Sequence, residues 1–286
     1  MNRLKLYYQL TKPGIIYANV MTAAAGFLLA AKGHIDVGLL LATLAGTSLV
    51  IASACVYNNF IDRKIDRKMS RTKQRALVQG LISGPAALAY ASLLGVIGFA
   101  FLVFLVNMRV AVIGLIGFVD YLALYGFSKR HSVYGTLVGS ISGAAPIAAG
   151  YVAVTNRIDG GAMLLYLSMV LWQMPHFYAI AMYRLKDYAA AGIPVLPIAQ
   201  GMRMARIQIL AYIVAFVIAT SLLTVFGYTG VIFLVVVAAT GLGWLWVGIR
   251  QFKVLEEHMW GRKMFLRSLV VLLLFSAMLS IGSIVP

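Results

Sequence analysis

Apolar side chains in this chain fall in long unbroken runs, not in the alternating or one-faced patterns of soluble strands and helices. Nine runs, at residues 15–31, 38–60, 86–106, 110–128, 135–155, 161–182, 207–227, 229–249 and 265–285, are each close to the length needed to cross roughly 30 Å of hydrocarbon. Backbone polar groups in that solvent must be bonded within their own segment, so the runs predict helices. The pattern therefore predicts an all-α polytopic membrane protein of about nine transmembrane helices. The longest polar stretches, 61–85, 183–206 and 250–264, are too short for a soluble domain, which leaves residues 1–286 as a single transmembrane domain. The basic first fourteen residues lead straight into a full-length span without a small-residue cleavage site, so the first helix is expected to be retained.

Composition agrees, with 62% hydrophobic and 11% charged residues. The formal charge of +16 raises the question of nucleic acid, but its placement along the chain points to topology instead. With the N-terminus in the cytoplasm, Lys32, Arg109 and Arg157 fall outside, leaving 21 of the 24 basic residues on the cytoplasmic side. Nine spans then put the C-terminus on the outer face and all three long polar stretches on the inner one. Cys55 is the lone cysteine, which excludes a disulfide framework and a multi-cysteine metal site.

The stretch NNFIDRKIDRKMSRTKQRAL, residues 58–77, breaks the apolar pattern with acids as well as bases. If the second helix continues past residue 60, Asn58, Asp62 and Asp66 recur one turn apart, about 6 Å of rise each, on one face. Two carboxylates and an amide are hard oxygen donors suited to Mg²⁺, which shares its coordination with water and phosphate oxygens. Arg63, Arg67 and Arg71 form a second stripe about 100° away, followed by Lys73 and Arg75. Cations beside metal-binding acids suit a diphosphate. The bases also fit attraction to anionic lipid heads, but topology requires no acids at helical spacing where desolvation is costly. Polar segments after spans two and six lie four helices apart, a hint of internal repetition that would let both converge above one cavity.

Further along, the small residues GTLVGSISGAAPIAAG, 135–150, permit close helix packing or leave room for a bulky ligand. Asp120, inside the fourth span, reads as a buried hydrogen bond to a neighbouring helix, Asn19 as an interhelical bond or a substrate contact, and Glu256, Glu257 and His258 as a solvated face.

Residues 58–66, NNFIDRKID, resemble the first aspartate-rich motif of the UbiA-type intramembrane prenyltransferases, with Asn59 in place of the first acid. The continuation RKMSRTKQRALVQGLIS resembles the heme O synthase branch. So do LTKPGIIYAN (10–19), KRHSVYGTLVGSISGAAPIAAGY (129–151) and WQMPHFYAIAMYRLKDYAAAGIPVLP (172–197), in order over residues 10 to about 200. The second signature region has one carboxylate, Asp187, with Ala191 four residues on, so the resemblance implies an incomplete second metal cage.

This resemblance implies a UbiA-type fold open to the cytoplasmic side of a bacterial inner membrane and farnesyl transfer from farnesyl diphosphate to a vinyl group of heme b, with water addition. Carried onto this sequence, Asn58, Asp62, Asp66 and Asp187 would hold Mg²⁺ and the diphosphate, and Arg67, Arg71, Lys129 and Arg130 would neutralise the leaving group. His131 and His176 would meet heme, through its iron or a propionate. Product hand-over to heme-copper oxidase assembly is also implied. Prenylation of a quinone or chlorin ring, and a non-catalytic transporter or heme-handling protein, are the competing readings.

Overall fold

The computed structural model describes residues 3–282, and among them nine helices are long and apolar enough to cross a membrane. They are α1 (Pro13–Ala31), α2 (Val37–Asp66), α3 (Gly84–Val106), α4 (Met108–His131), α5 (Gly135–Thr155), α6 (Gly160–Tyr183), α7 (Gly201–Val225), α8 (Val231–Arg250) and α9 (Glu257–Ile281). Each predicted span has its helix, although residues 283–285 of the ninth lie outside the described residues. Short helices Arg3–Leu10, Leu185–Ala191 and Leu196–Ala199 lie between or before the spans.

Where the helices start, capping chemistry explains much of the sparse polarity of the chain. Asp36 accepts from the backbone N–H of Leu39 at 2.9 Å, Asn107 from Val110 at 2.9 Å and Asp159 from Ala162 at 3.1 Å, each satisfying a donor that a helix start leaves free. Helix ends depart from the hydropathy limits where charged residues can still be helical. α2 runs six residues past the predicted end, to Asp66, and α9 starts at Glu257 instead of 265. Glu256, Glu257 and His258 are exposed there, as expected of a solvated face.

The bundle is held by close backbone approach as well as by side-chain packing. A Cβ on Gly26 of α1 would lie 2.1 Å from the Ile147 carbonyl oxygen of α5, and one on Gly150 would lie 1.9 Å from that of Ala23. These two glycines let α1 and α5 touch along their backbones. Segment 135–150 thus serves both of its expected uses, divided by helix face: Ile147 and Gly150 meet α1, while Thr136, Gly139, Ser142, Gly143 and Pro146 face a cavity. Around the outside, large apolar residues such as Phe104, 82% exposed, form the surface that lipid would solvate. Asp120 begins a wide π-helical turn in α4 and accepts from the Ser142 N–H of α5 at 3.1 Å, the buried interhelical bond the sequence led us to expect.

Candidate active site

Because α2 stays helical through Asp66, Asn58, Asp62 and Asp66 lie on one face, all buried, in the wall of a cavity of about 610 Å³. Cations reach each of them from other segments. Lys12, in the turn before α1, donates to Asn58 Oδ1 at 2.7 Å. Lys129 and Arg130, from the last turn of α4, both bond Asp62, Arg130 at 2.9 Å. Arg75, in the segment after α2, pairs with Asp66 at 2.6 Å. The acids are thus neutralised in place, which offsets the cost of burying them.

A second stripe completes this wall. Tyr121, Tyr125 and Lys129 follow each other at four-residue intervals on α4; the two rings stack with centroids 5.7 Å apart, and the Lys129 ammonium lies 5.0 Å from the Tyr125 ring centre. Tyr121 donates to Asn58 Oδ1 at 3.4 Å. Burial pushes the Lys12 ammonium down to about 8.

Among the described residues no three His, Cys, Asp or Glu side chains converge as a metal cage. The donor set nevertheless fits Mg²⁺. Two carboxylates and an amide oxygen face one space, and such hard oxygen ligands leave positions for water and phosphate, to whose oxygens the unpartnered, buried Asn58 Nδ2 offers a hydrogen-bond donor.

The other walls are apolar and aromatic, with Met169, Trp172, Phe177, Phe265 and Leu272. His176 belongs to them. Its ring stacks on Trp172 at 4.7 Å between centroids, and its Nδ1 lies 2.7 Å from Ser268 Oγ.

The structure thus brings Asn58, Asp62, Asp66, Arg71, Lys129 and His176 onto one cavity, with Arg130 behind Asp62. Besides Arg130, three expected site residues lie off its lining. Asp187 accepts from the Ser70 hydroxyl at 2.7 Å and its N–H at 3.0 Å, fastening the polar segment after α6 to the one after α2. Those bonds, the hydroxyl first, hold its carboxyl below the usual range. Arg67 is exposed. His131 is exposed too, stacked on Phe127 with its Nδ1 2.9 Å from the Phe127 carbonyl oxygen. Asn19 lines the cavity, although its amide donates within its own helix, to the Ile15 oxygen at 2.8 Å.

Lys12, Arg75, Tyr121 and Tyr125 were not among the expected site residues. The four-residue spacing of Tyr121, Tyr125 and Lys129 was a usable signal, Arg75 was noted only among the cations that follow the acids, and Lys12 looked like ordinary topological charge.

Comparison with known proteins agrees with this geometry. Residues 19–270 match the UbiA prenyltransferase family. The protoheme IX farnesyltransferase of Klebsiella pneumoniae is 53% identical over 283 residues, covering 99% of this chain and 96% of the relative. Protoheme IX farnesyltransferase 2 of Pseudomonas fluorescens is 51% identical over 284 residues, again covering 99% and 96%. Among solved structures, one concerning digeranylgeranylglyceryl phosphate synthase superposes with a TM-score of 0.81 at 20% identity, covering 99% of both chains. A UbiA homologue from Archaeoglobus fulgidus bound to GPP and Mg²⁺ gives 0.75 at 15%, covering 96% of this chain and 99% of that one. At such identities the structures show the fold, and the full-length relatives show the lineage: this integral membrane protein belongs to the UbiA prenyltransferase family.

Proposed function

We propose that the protein transfers the farnesyl group of farnesyl diphosphate to a vinyl group of heme b, with addition of water, giving heme O and diphosphate. The observation that carries this reading is a polar wall of paired acids and bases, Asn58, Asp62 and Asp66 with Lys12, Lys129, Arg130 and Arg75, closing a cavity whose other walls are apolar and aromatic. Relatives more than 50% identical along the whole chain are named for farnesyl transfer to protoheme IX, which supplies the substrates.

In this reading Asn58, Asp62 and Asp66 hold Mg²⁺, which when bound neutralises charge gathering on the departing diphosphate. Lys129, Arg130, Arg75, Arg71 and Lys12 do the same from the protein side, as preorganised donors in a site poor in water. The C–O bond of the donor breaks and its electron pair leaves with diphosphate. The vinyl π pair forms the new C–C bond, water oxygen adds to the carbon next to the porphyrin ring, and the water proton is released. No covalent bond to the protein is needed; the apolar walls align the two greasy substrates and restrict where water enters. Asp187 enters as the residue that holds Ser70 and so the segment carrying Arg71 and Arg75, and His176 as the histidine that meets heme.

We place the polar wall at the cytoplasmic side, because it lies where even-numbered spans end, the face that carries the excess of Lys and Arg.

Purified protein supplied with farnesyl diphosphate, heme b and Mg²⁺ is expected to give a product heavier than heme b by a hydrated farnesyl unit, and none when EDTA removes the metal. A carrier would return both molecules intact. Asp62→Ala and Asp66→Ala are each expected to lower turnover by about 10²-fold or more while the protein still inserts. Unchanged turnover in both variants would remove the proposed metal site.

A further inference from the structure

His176 sits in the middle of a buried network linking α6 to α9. Ser268 of α9 is fully buried, and its Oγ donates to the Phe265 carbonyl oxygen at 2.6 Å. That bond uses the single hydroxyl proton, so the 2.7 Å contact between Ser268 Oγ and His176 Nδ1 must run the other way, with Nδ1–H donating to the hydroxyl lone pair. The same serine is held from its backbone side, since Trp172 Nε1 donates to the Ser268 carbonyl oxygen at 3.0 Å. Trp172 in turn stacks on the imidazole, and Phe265 and Phe177 flank it, with centroids 5.2 and 5.1 Å away. Two turns before Ser268, a Cβ on Gly261 would lie 2.8 Å from Met182 Cβ, so the absence of a side chain there lets α9 approach α6.

With Nδ1 carrying the proton, Nε2 is left with its lone pair; the ring's hydrogen bond among the described residues is the one at Nδ1, and the ring lines the cavity. Imidazoles that bind metals characteristically donate their other N–H to a fixed acceptor, which sets both tautomer and ring direction. We infer that Ser268 is a positioning residue that locks His176 with Nε2 presented to the cavity as an axial ligand for heme iron. The inference rests on heme b being the acceptor substrate, and it places one support of that substrate on the last span, outside the segments that carry the charged residues.

Hemin added to the detergent-purified full chain tests it, read by absorption and electron paramagnetic resonance. The wild-type protein is expected to give an imidazole-ligated spectrum. His176→Ala should lose it and regain it with added imidazole. Ser268→Ala should bind hemin about tenfold more weakly with an altered ligand signature, and Ser268→Thr, which keeps the hydroxyl, should restore both. In the His176→Ala background, adding Ser268→Ala should raise the imidazole concentration needed for rescue by about tenfold, because the serine orients the free imidazole too. Folding is followed by size exclusion in every variant. Wild-type affinity and spectrum in Ser268→Ala, or an imidazole signature surviving in His176→Ala, overturns the inference. If the wild-type protein farnesylates heme b while either result is seen, only this inference falls; if it neither binds hemin nor forms product, the functional reading falls with it.

Discussion

Lys12 is a buried ammonium whose pKa of about 8 lies near the pH at which enzymes work. Burial lowers the folded-state pKa below the unfolded value, so below about pH 8 the folded state carries the charge at a cost, and between about 8 and the ordinary lysine range stability rises with pH. Function should move the opposite way. If the Lys12 cation serves the diphosphate, kcat/KM falls as pH rises through about 8 in the free enzyme. Lys12→Arg should abolish that limb, and Lys12→Met should give a low, flat profile, both checked by kcat/KM from pH 6.5 to 9.5. At this scale the sequence was legible for Asn58, Asp62 and Asp66, because acids at helical spacing have no topological excuse. It was not legible for Lys12, nor for the particular acid that Arg75 meets, because one basic residue among many at a basic face carries no mark of the partner it will meet across space. His131 illustrates the reverse error: a histidine beside charged neighbours on a helix end drew attention, yet its helix turns it outward onto Phe127.

Elements follow the hydropathy closely, since hydrocarbon thickness dictates length, and the departures cluster at the polar face. There α2 and α9 extend into charged sequence because those residues find partners: Asp62 and Asp66 in ion pairs, and the first turn of α9 in solvent. What hydropathy cannot supply is which spans touch. The pair α1 and α5 is chosen by glycines whose missing side chains permit backbone contact, and Gly150→Leu is expected to destabilise by at least 1–3 kcal/mol, since the intruding carbon meets a carbonyl oxygen that cannot swing away. Thermal unfolding in detergent should show a lowered midpoint or no monodisperse protein. Gly243, with open space where a Cβ would go, provides the matched control: Gly243→Ala should leave the midpoint unchanged or slightly raised.

For the whole molecule, the membrane orientation proposed above rests on charge bias alone, and cysteine accessibility tests it. Cys55 is buried, at 1% exposure, so its background labelling should be low. Arg157→Cys is expected to react with a membrane-impermeant maleimide in intact cells, and Gln74→Cys only after permeabilisation; the opposite result would invert the protein in the bilayer. The fold as a whole was legible because nine greasy runs leave few alternatives, whereas the convergence of distant segments on one cavity emerges only in three dimensions. Ser70 and Asp187 meet across 117 positions of chain.

The pre-paired acids have a thermodynamic consequence for loading. Before anything binds, Lys129, Arg130 and Arg75 are already paired with carboxylates and Lys12 with an amide oxygen, so a diphosphate that draws on Lys129, Arg130 or Arg75 alone must take a base from a carboxylate at the edge of hydrocarbon. A divalent ion arriving alone must likewise push bases away from their acids. Arriving together they exchange partners, ion to acid and phosphate to base, with no charge stranded. On the functional reading proposed here, donor and Mg²⁺ therefore bind with mutual reinforcement, each raising the affinity for the other by the same factor.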